Sequence, residues 1–396
     1  MGVFVLGQGD WVGLGRTGWR ESGDGDVRIC IPGGSGFIGR YFHEQLTAKG
    51  HEVVILDLVK PEWDIGRSPF FHGDIRDLAI VQRAIRGCDR VLNLAAAHHD
   101  FGISEKTFFD VNENGARVLC EAMDKEGVRE VGFFSTVAVF GSAPEPHTED
   151  APKQPESNYG KSKLAAEKVY EPWVRKGEGR RALIIRPTVT FGPRNYANMY
   201  SLIRQVNSGK FVLVGDGENI KSLSYVENIV DATIYLWMRD AVGGQREAWG
   251  VYHFVDKPDL KSREISEQVY RSLGKNPPKF RIPLGLACLL ALPFDMVIKL
   301  TGKNLPVSSA RIKKLFAMQT KFEAQKVLDA GFKSRIPLAG PDGAIDRMVK
   351  WYLAEGQHKK AVWHLPPEQV QKFSDAEAGA TAAPAGGGAR SAVSAA

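Results

Sequence analysis

One stretch, residues 27–39, limits the fold more than any other: VRICIPGGSGFIG. A short β-branched run enters it and an apolar-periodic run leaves it. Gly33, Gly36 and Gly39 are therefore spaced G-x-x-G-x-x-G between a strand and a helix. The first glycine permits a tight turn, the second lets backbone approach a pyrophosphate, and the third lets the helix pack on the strand. Ser35, Phe37 and Ile38 then belong to the turn and to the first helical residues, whose N–H groups and positive dipole end face a phosphate. Asp57 closes the next strand, 18 residues after Gly39. A carboxylate there accepts ribose hydroxyls and repels a 2′-phosphate, which favours NAD over NADP, although Lys60 lies close by.

The pattern that follows extends the same architecture. The apolar-rich runs Val27–Ile31, Glu52–Asp57, Arg90–Ala95, Glu130–Phe134 and Ala182–Arg186 alternate with helical patterns. The first helix, Phe37–Lys49, carries Phe37, Ile38, Tyr41, Phe42 and Leu46 on one face and stops at Gly50. Such alternation predicts an α/β fold, a Rossmann-type doubly wound parallel sheet, with a smaller C-terminal mixed α/β substrate lobe. We place the dinucleotide-binding domain at residues 27–190, with some later segments returning to it, and the lobe at 191–355. Residues 1–26 read as a flexible extension. Gly7, Gly9 and Gly13 there imitate a dinucleotide loop, but no amphipathic helix follows them. Residues 374–396 are Ala/Gly/Ser-rich and read as a disordered tail.

Composition narrows the setting. The net charge of +6 over 396 residues gives no case for nucleic-acid binding. The four cysteines, Cys30, Cys88, Cys120 and Cys288, have neither CxxC nor metal-site spacing, so a reduced, cytoplasmic protein is expected, its thiols packed as small hydrophobes. His98, His99 and Asp100 have no companions to complete a metal site, and none is predicted. The most apolar run, Leu284–Phe294, is interrupted at Pro293 and is too short to cross roughly 30 Å of hydrocarbon. It reads as a helix packed on the lobe, or as a peripheral membrane contact helped by Arg311, Lys313 and Lys314.

Proton-transfer chemistry is carried by Tyr159 and Lys163. Their spacing of four puts both on one helix face. The Lys163 ammonium and a positive nicotinamide ring would both favour the phenolate and lower a pKa that starts near ~10. The strand ending Phe133-Phe134-Ser135-Thr136 delivers a hydroxyl 23 residues before Tyr159. Thr136 there can hydrogen-bond a substrate hydroxyl or carbonyl.

Together these residues resemble the extended short-chain dehydrogenase/reductase superfamily, of the NAD-dependent epimerase/dehydratase type, over about residues 27–355. The resemblance implies further roles. Asp74 and Ile75, in GDIRD, would flank the adenine. Ala95, Ala96 and Ala97 would lie along the cofactor, Asn112 would order the active site, and the register favours Thr136 over Ser135 as the catalytic hydroxyl. The backbone of Pro187–Val189 would meet the carboxamide. The helices at about 106–125 and 159–176 would form a homodimer.

Departures from that pattern are informative. Pro32 replaces a hydroxyl residue before the glycines, and Phe140 replaces a frequent tyrosine. Lys221-Ser222 stands where nucleotide-sugar enzymes commonly carry an arginine that grips the diphosphate, and lysine lacks the bidentate fork. Arg194 offers a second anion contact. The small-molecule substrate is then a nucleotide sugar, a UDP-hexose in the first instance, whose diphosphate Lys221 and Arg194 hold. Val137-Ala138 supplies no acid/base pair after the catalytic hydroxyl, so an epimerase is expected rather than a dehydratase. The alternatives are a dehydrogenase of hydrophobic alcohols resembling the 3β-hydroxysteroid branch, and a non-catalytic NAD-binding protein.

Overall fold

The computed structural model describes residues 26–98, 103–141, 147–238, 247–278, 280–301, 308–316 and 318–358. The predicted tail, nearly all of the N-terminal extension, and His99 with Asp100 fall outside these residues. Six strands in chain order, β1 (Arg28–Pro32), β2 (Glu52–Asp57), β3 (Phe70–His72), β4 (Arg90–Asn93), β5 (Glu130–Phe134) and β6 (Arg181–Pro187), are joined by a later strand, Trp249–Phe254. They form one seven-stranded sheet in the order Trp249–Phe254, β6, β5, β4, β1, β2, β3. Every neighbouring pair is parallel. A parallel sheet needs helices on both faces, and its strands read as continuous apolar runs. β2 does so: Val53, Val54, Ile55 and Leu56 are all at most 1% exposed.

The two faces of the sheet hold two cores. One gathers Phe42 and Leu46 of the helix Phe37–Ala48 with Ile229, Val230, Ile345 and Met348. The other gathers Val81, Ile85, Leu119, Tyr170 and Trp173. The chain leaves β1 towards β2 and β3 on one side and returns through β4 on the other, so the carboxyl ends of β1 and β4 open a crevice at the switch point.

Two element boundaries differ from the expected ones for local reasons. β4 ends at Asn93 rather than Ala95, because the Asn93 side chain turns the chain by accepting from the Ala95 N–H at 3.1 Å. The run Leu284–Phe294 does not break at Pro293. It is part of an 18-residue helix, Leu284–Thr301. Nor is it a helix sunk into the lobe: Leu289, Leu290 and Leu292 are each more than half exposed. No described helix is long and apolar enough to cross a membrane. Cys88 and Cys120 are buried as expected, and so is Cys30, whereas Cys288, on this outward-facing helix, is partly exposed against expectation.

The lobe is assembled from short pieces. Val189–Phe191 pairs with Leu223–Tyr225, and Ile220–Lys221 pairs antiparallel with Leu260–Lys261. The helices Ser262–Ser272, Leu284–Thr301 and Ser309–Phe316 complete it, the last two lying against each other.

Candidate active site

The glycine loop is held open by crowding elsewhere. Gly33 adopts φ +78°, and a Cβ there would stand 2.4 Å from the Ala95 nitrogen, so the loop and the end of β4 approach as only glycine allows. A Cβ on Gly39 would lie 2.4 Å from the Gly34 oxygen, which locks helix to loop. Gly36 is the N-cap of Phe37–Ala48 and offers no side chain to its first-turn N–H groups. Those N–H groups of Phe37, Ile38 and Gly39 are left for an anion. Ser35 donates its N–H to the Asp57 carboxylate at 2.9 Å, and the Val59 N–H reaches the same carboxylate at 3.2 Å. Burial raises the Asp57 pKa to about 6 despite these bonds. The Ser35 hydroxyl itself is buried with no hydrogen-bond partner. An orphaned hydroxyl beside an uncapped helix start fits a pyrophosphate, and the carboxylate fits a ribose diol.

Across the crevice, Asn112 binds the turn after β4. Its Oδ1 accepts from the Ala97 N–H at 2.9 Å, and its Nδ2 donates to the Ala97 oxygen at 3.0 Å and to Ser162 Oγ at 2.9 Å. Ser162 in turn donates to the main-chain carbonyl of Tyr159 at 2.9 Å. Asn112 can do this because residues Asp110–Asn114 form a π-turn within an otherwise α-helical segment. Ala95 and Ala96 lie between these anchors. Asp74 is engaged by the Arg76 guanidinium at 2.6 Å, and Ile75 is buried, lying where any side chain on Gly115 would strike it.

Tyr159 and Lys163 lie on the helix Asn158–Arg175, started by the Ser157 side chain accepting from the Gly160 N–H. The Thr136 hydroxyl lies close enough to the Tyr159 phenol to act on its titration, and Thr136 Oγ1 accepts from the Ala138 N–H at 3.1 Å. Lys163 is 1% exposed, with its Nζ 4.1 Å from the centre of the Phe133 ring. Burial sets both titrations. It pushes the Tyr159 phenol up to about 12, with the Thr136 hydroxyl opposing, and pulls the Lys163 ammonium down to about 7, with Glu167 opposing. Desolvation thus sets the phenol above its ordinary value, and the lowering expected from Lys163 together with an oxidised nicotinamide ring belongs to the loaded site.

Sequence reasoning does not reach the group behind these residues. Arg186 and Glu167 form a buried pair at 2.7 Å, exposed only 2% and 5%. Ser135, the hydroxyl set aside in favour of Thr136, donates to Glu167 at 2.5 Å. Glu167 lies four residues beyond Lys163, so helical spacing was the available signal.

The predicted substrate contacts lie apart. Arg194, at φ +73°, stacks over the Tyr41 ring and faces Glu44 at 3.9 Å. Lys221 donates to the Met318 oxygen at 2.8 Å. Pro187 ends β6 opposite Phe254, and Val189 is 42% exposed. Between them, Thr188 is held by Ser224. Among the described residues no group of His, Cys, Asp and Glu could hold a metal.

Comparison with known proteins agrees with this geometry. A family model described as the NAD dependent epimerase/dehydratase family matches residues 29–251. The N-acetyl-alpha-D-glucosaminyl-diphospho-ditrans,octacis-undecaprenol 4-epimerase of Escherichia coli O157:H7 is 39% identical over 329 residues, covering 82% of this chain and 94% of that protein. The sterol-4-alpha-carboxylate 3-dehydrogenase, decarboxylating, of Mus musculus is 25% identical over 338 residues, covering 82% of this chain and 90% of that protein. In fold, the chain is similar to the UDP-glucose 4-epimerase of Thermus thermophilus in complex with NAD, at a TM-score of 0.62 and 23% identity, covering 83% of this chain and all of that one.

Proposed function

Since the chain belongs to the NAD dependent epimerase/dehydratase family and is an NAD-dependent enzyme, we propose that it inverts a hydroxyl-bearing carbon of a hexose linked through a diphosphate. The favoured substrate is an N-acetylhexosamine on a polyprenyl diphosphate, inverted at C4, with a UDP-hexose as the nucleotide-linked counterpart. The observation that carries this reading is the 39% identity to the E. coli epimerase over 82% of this chain and 94% of that one.

NAD, when bound, supplies a hydride acceptor and donor that returns to its starting state. Gly33, Ser35, Gly36 and the N–H groups of Phe37, Ile38 and Gly39 would hold its pyrophosphate, and Asp57 its ribose. Tyr159 takes the proton from the sugar hydroxyl and gives it back after the sugar has turned its other face. Thr136 hydrogen-bonds the same oxygen and holds it within reach of the phenol. Lys163, when protonated, favours the phenolate form of Tyr159, and Asn112 orients the Tyr159 helix. Lys221 is the cation for the diphosphate. A single lysine grips a diphosphate less specifically than an arginine fork, which suits a ligand whose remaining affinity comes from a lipid. On the same reading a second copy packs on the helices at about 106–125 and 159–176, which light scattering checks.

The sterol dehydrogenase relatives give the competing activity, net oxidation of an apolar alcohol. One assay separates the two. Polyprenyl-diphospho-N-acetylglucosamine incubated with enzyme and NAD is expected to yield the 4-epimer without growth of NADH absorbance. NADH accumulating with a sterol, and no epimer, would overturn the proposal.

A further inference from the structure

Fourteen large apolar side chains are exposed among the described residues, and ten of them fall within residues 280–318. On the helix Leu284–Thr301 they include Leu286, Leu289, Leu290, Leu292, Phe294 and Leu300. At 100° per residue the exposed apolar positions of this helix sweep an arc of about 200°. Ala287 and Ala291 lie on the opposite, buried side. An amphipathic helix docked on protein needs an arc nearer ~100°. A flat protein partner leaves the flanks of so wide an arc in water, whereas acyl chains surround it.

Charge singles out the same region. Residues 275–321 hold nine lysines and arginines and one acid, Asp295, a net +8, while the whole chain is only +6. All of the chain's net positive charge is thus concentrated here. Asp295 is engaged inward, accepting from the Ser309 N–H at 3.0 Å and so pinning the next helix, Ser309–Phe316, to the first. Lys299 and Lys313 are exposed.

This apolar, basic pair of helices adjoins the candidate diphosphate cation. A groove of about 570 Å³ is lined by the apolar Pro283, Leu284 and Phe316 together with the polar Asp216, Glu218 and Asn219, among others. Asn219, in the groove, and Lys221 both donate to the Met318 oxygen, at 3.2 and 2.8 Å. The strap after Met318 runs past Lys221 at Thr320 and then places Phe322 against Phe140, in a cluster that also touches Val137 and Leu164. Those two residues directly follow Thr136 and Lys163.

We propose that the helix Leu284–Thr301 lies in the surface of an anionic membrane and that the groove beside it receives the first isoprene units of a carrier lipid whose diphosphate meets Lys221. The proposal rests on the lipid-linked reading of the substrate. The helix, about 27 Å long, lies flat with its apolar arc among acyl chains and Lys299 at the headgroups, joined there by Lys313 of the next helix. The lobe thereby reads a lipid where nucleotide-sugar enzymes read a base.

The test uses the full chain and vesicles of phosphatidylcholine with phosphatidylglycerol, 1:1. The wild type is expected to float with them, and to release in high salt or with phosphatidylcholine alone. The double variant Leu290→Glu, Phe294→Glu is expected to lose at least ten-fold in floated fraction. It should also lose turnover of a long-chain polyprenyl-diphospho-sugar embedded in the vesicles, while keeping wild-type turnover of a two-isoprene, water-soluble analogue. Leu284→Trp, which fills the groove, is expected to raise KM for the long-chain substrate at least five-fold with kcat retained. A wild type that does not float, or a double variant that floats as well as wild type, overturns the docking. Loss of the dimer in the double variant, with flotation unchanged, assigns the face to a second copy instead. An unchanged KM in Leu284→Trp overturns the groove. Flotation without epimer from either substrate would uphold the docking and overturn the proposed reaction, so the two failures are separable.

Discussion

The sheet and the helix Leu284–Thr301 are built from the same kinds of residue and put them in opposite places. In β2, β4 and β5 the leucines, isoleucines and valines are sealed between layers of helices. In Leu284–Thr301 an equally apolar segment presents its leucines outward, with alanines turned in. Apolar composition alone does not say which side of a chain becomes its interior. The neighbouring elements decide, and small residues mark the face along which a helix approaches its support.

The sharpest break of that comparison concerns chemistry rather than packing. Tyr159→Phe removes a proton carrier without emptying space, so kcat should fall by about 10³-fold while the melting temperature stays within a degree or two; turnover and calorimetry together check it. Next comes the buried pair. Glu167→Gln leaves the Arg186 guanidinium uncompensated in a dry site, and should cost about 3–5 kcal/mol in urea unfolding. The contrast between the regions themselves follows. Leu92→Ala, in β4 at 0% exposure, should cost about 3 kcal/mol, whereas Leu290→Ala, 59% exposed, should cost less than about 0.5 kcal/mol in vesicle-free buffer. Equal losses would mean that the helix is covered in solution.

The smallest effect is one of pH. Because burial raises the Asp57 pKa from 3.8 to about 6, the carboxylate that accepts ribose hydroxyls is present above pH 6 and is lost below it. NAD binding should therefore weaken several-fold between pH 7.5 and pH 5, and Asp57→Asn should flatten that slope; titration calorimetry at both pH values checks it. The sign for stability is opposite. A buried carboxylate with a raised pKa destabilises the fold when charged, so its penalty is relieved as pH falls through 6 towards 3.8.

Much of this is legible in the sequence wherever function depends on short-range order. The glycine loop, Asp57 and the Tyr159–Lys163 spacing are contiguous patterns, and the parallel sheet follows from their alternation with apolar runs. The pairing of Trp249–Phe254 with β6 is foreseen only as a later segment returning to the sheet, since nothing near residue 250 states which strand it will join. Arg186 and Glu167 escape because each looks like an ordinary charged residue until the fold removes the water from both. The burial of the phenol escapes for the same reason: proximity to a lysine can be read from spacing, but desolvation cannot. Pro293 reads as a stop, yet the helix continues through it to Thr301, despite the lost N–H bond and the crowding of the ring against the carbonyl four residues back.

The π-turn at Asp110–Asn114 makes the register of the chain unusually sensitive to length. An ordinary α-helix closes each turn with one residue fewer. Deleting any single residue from this turn would rewind the segment and swing Asn112 by about 100°, away from both Ala97 and Ser162. Conservative replacement within the turn preserves that count, whereas a shortened version, however similar in composition, would uncouple the end of β4 from the Tyr159 helix. What is inherited at this position is a number of residues as much as an identity.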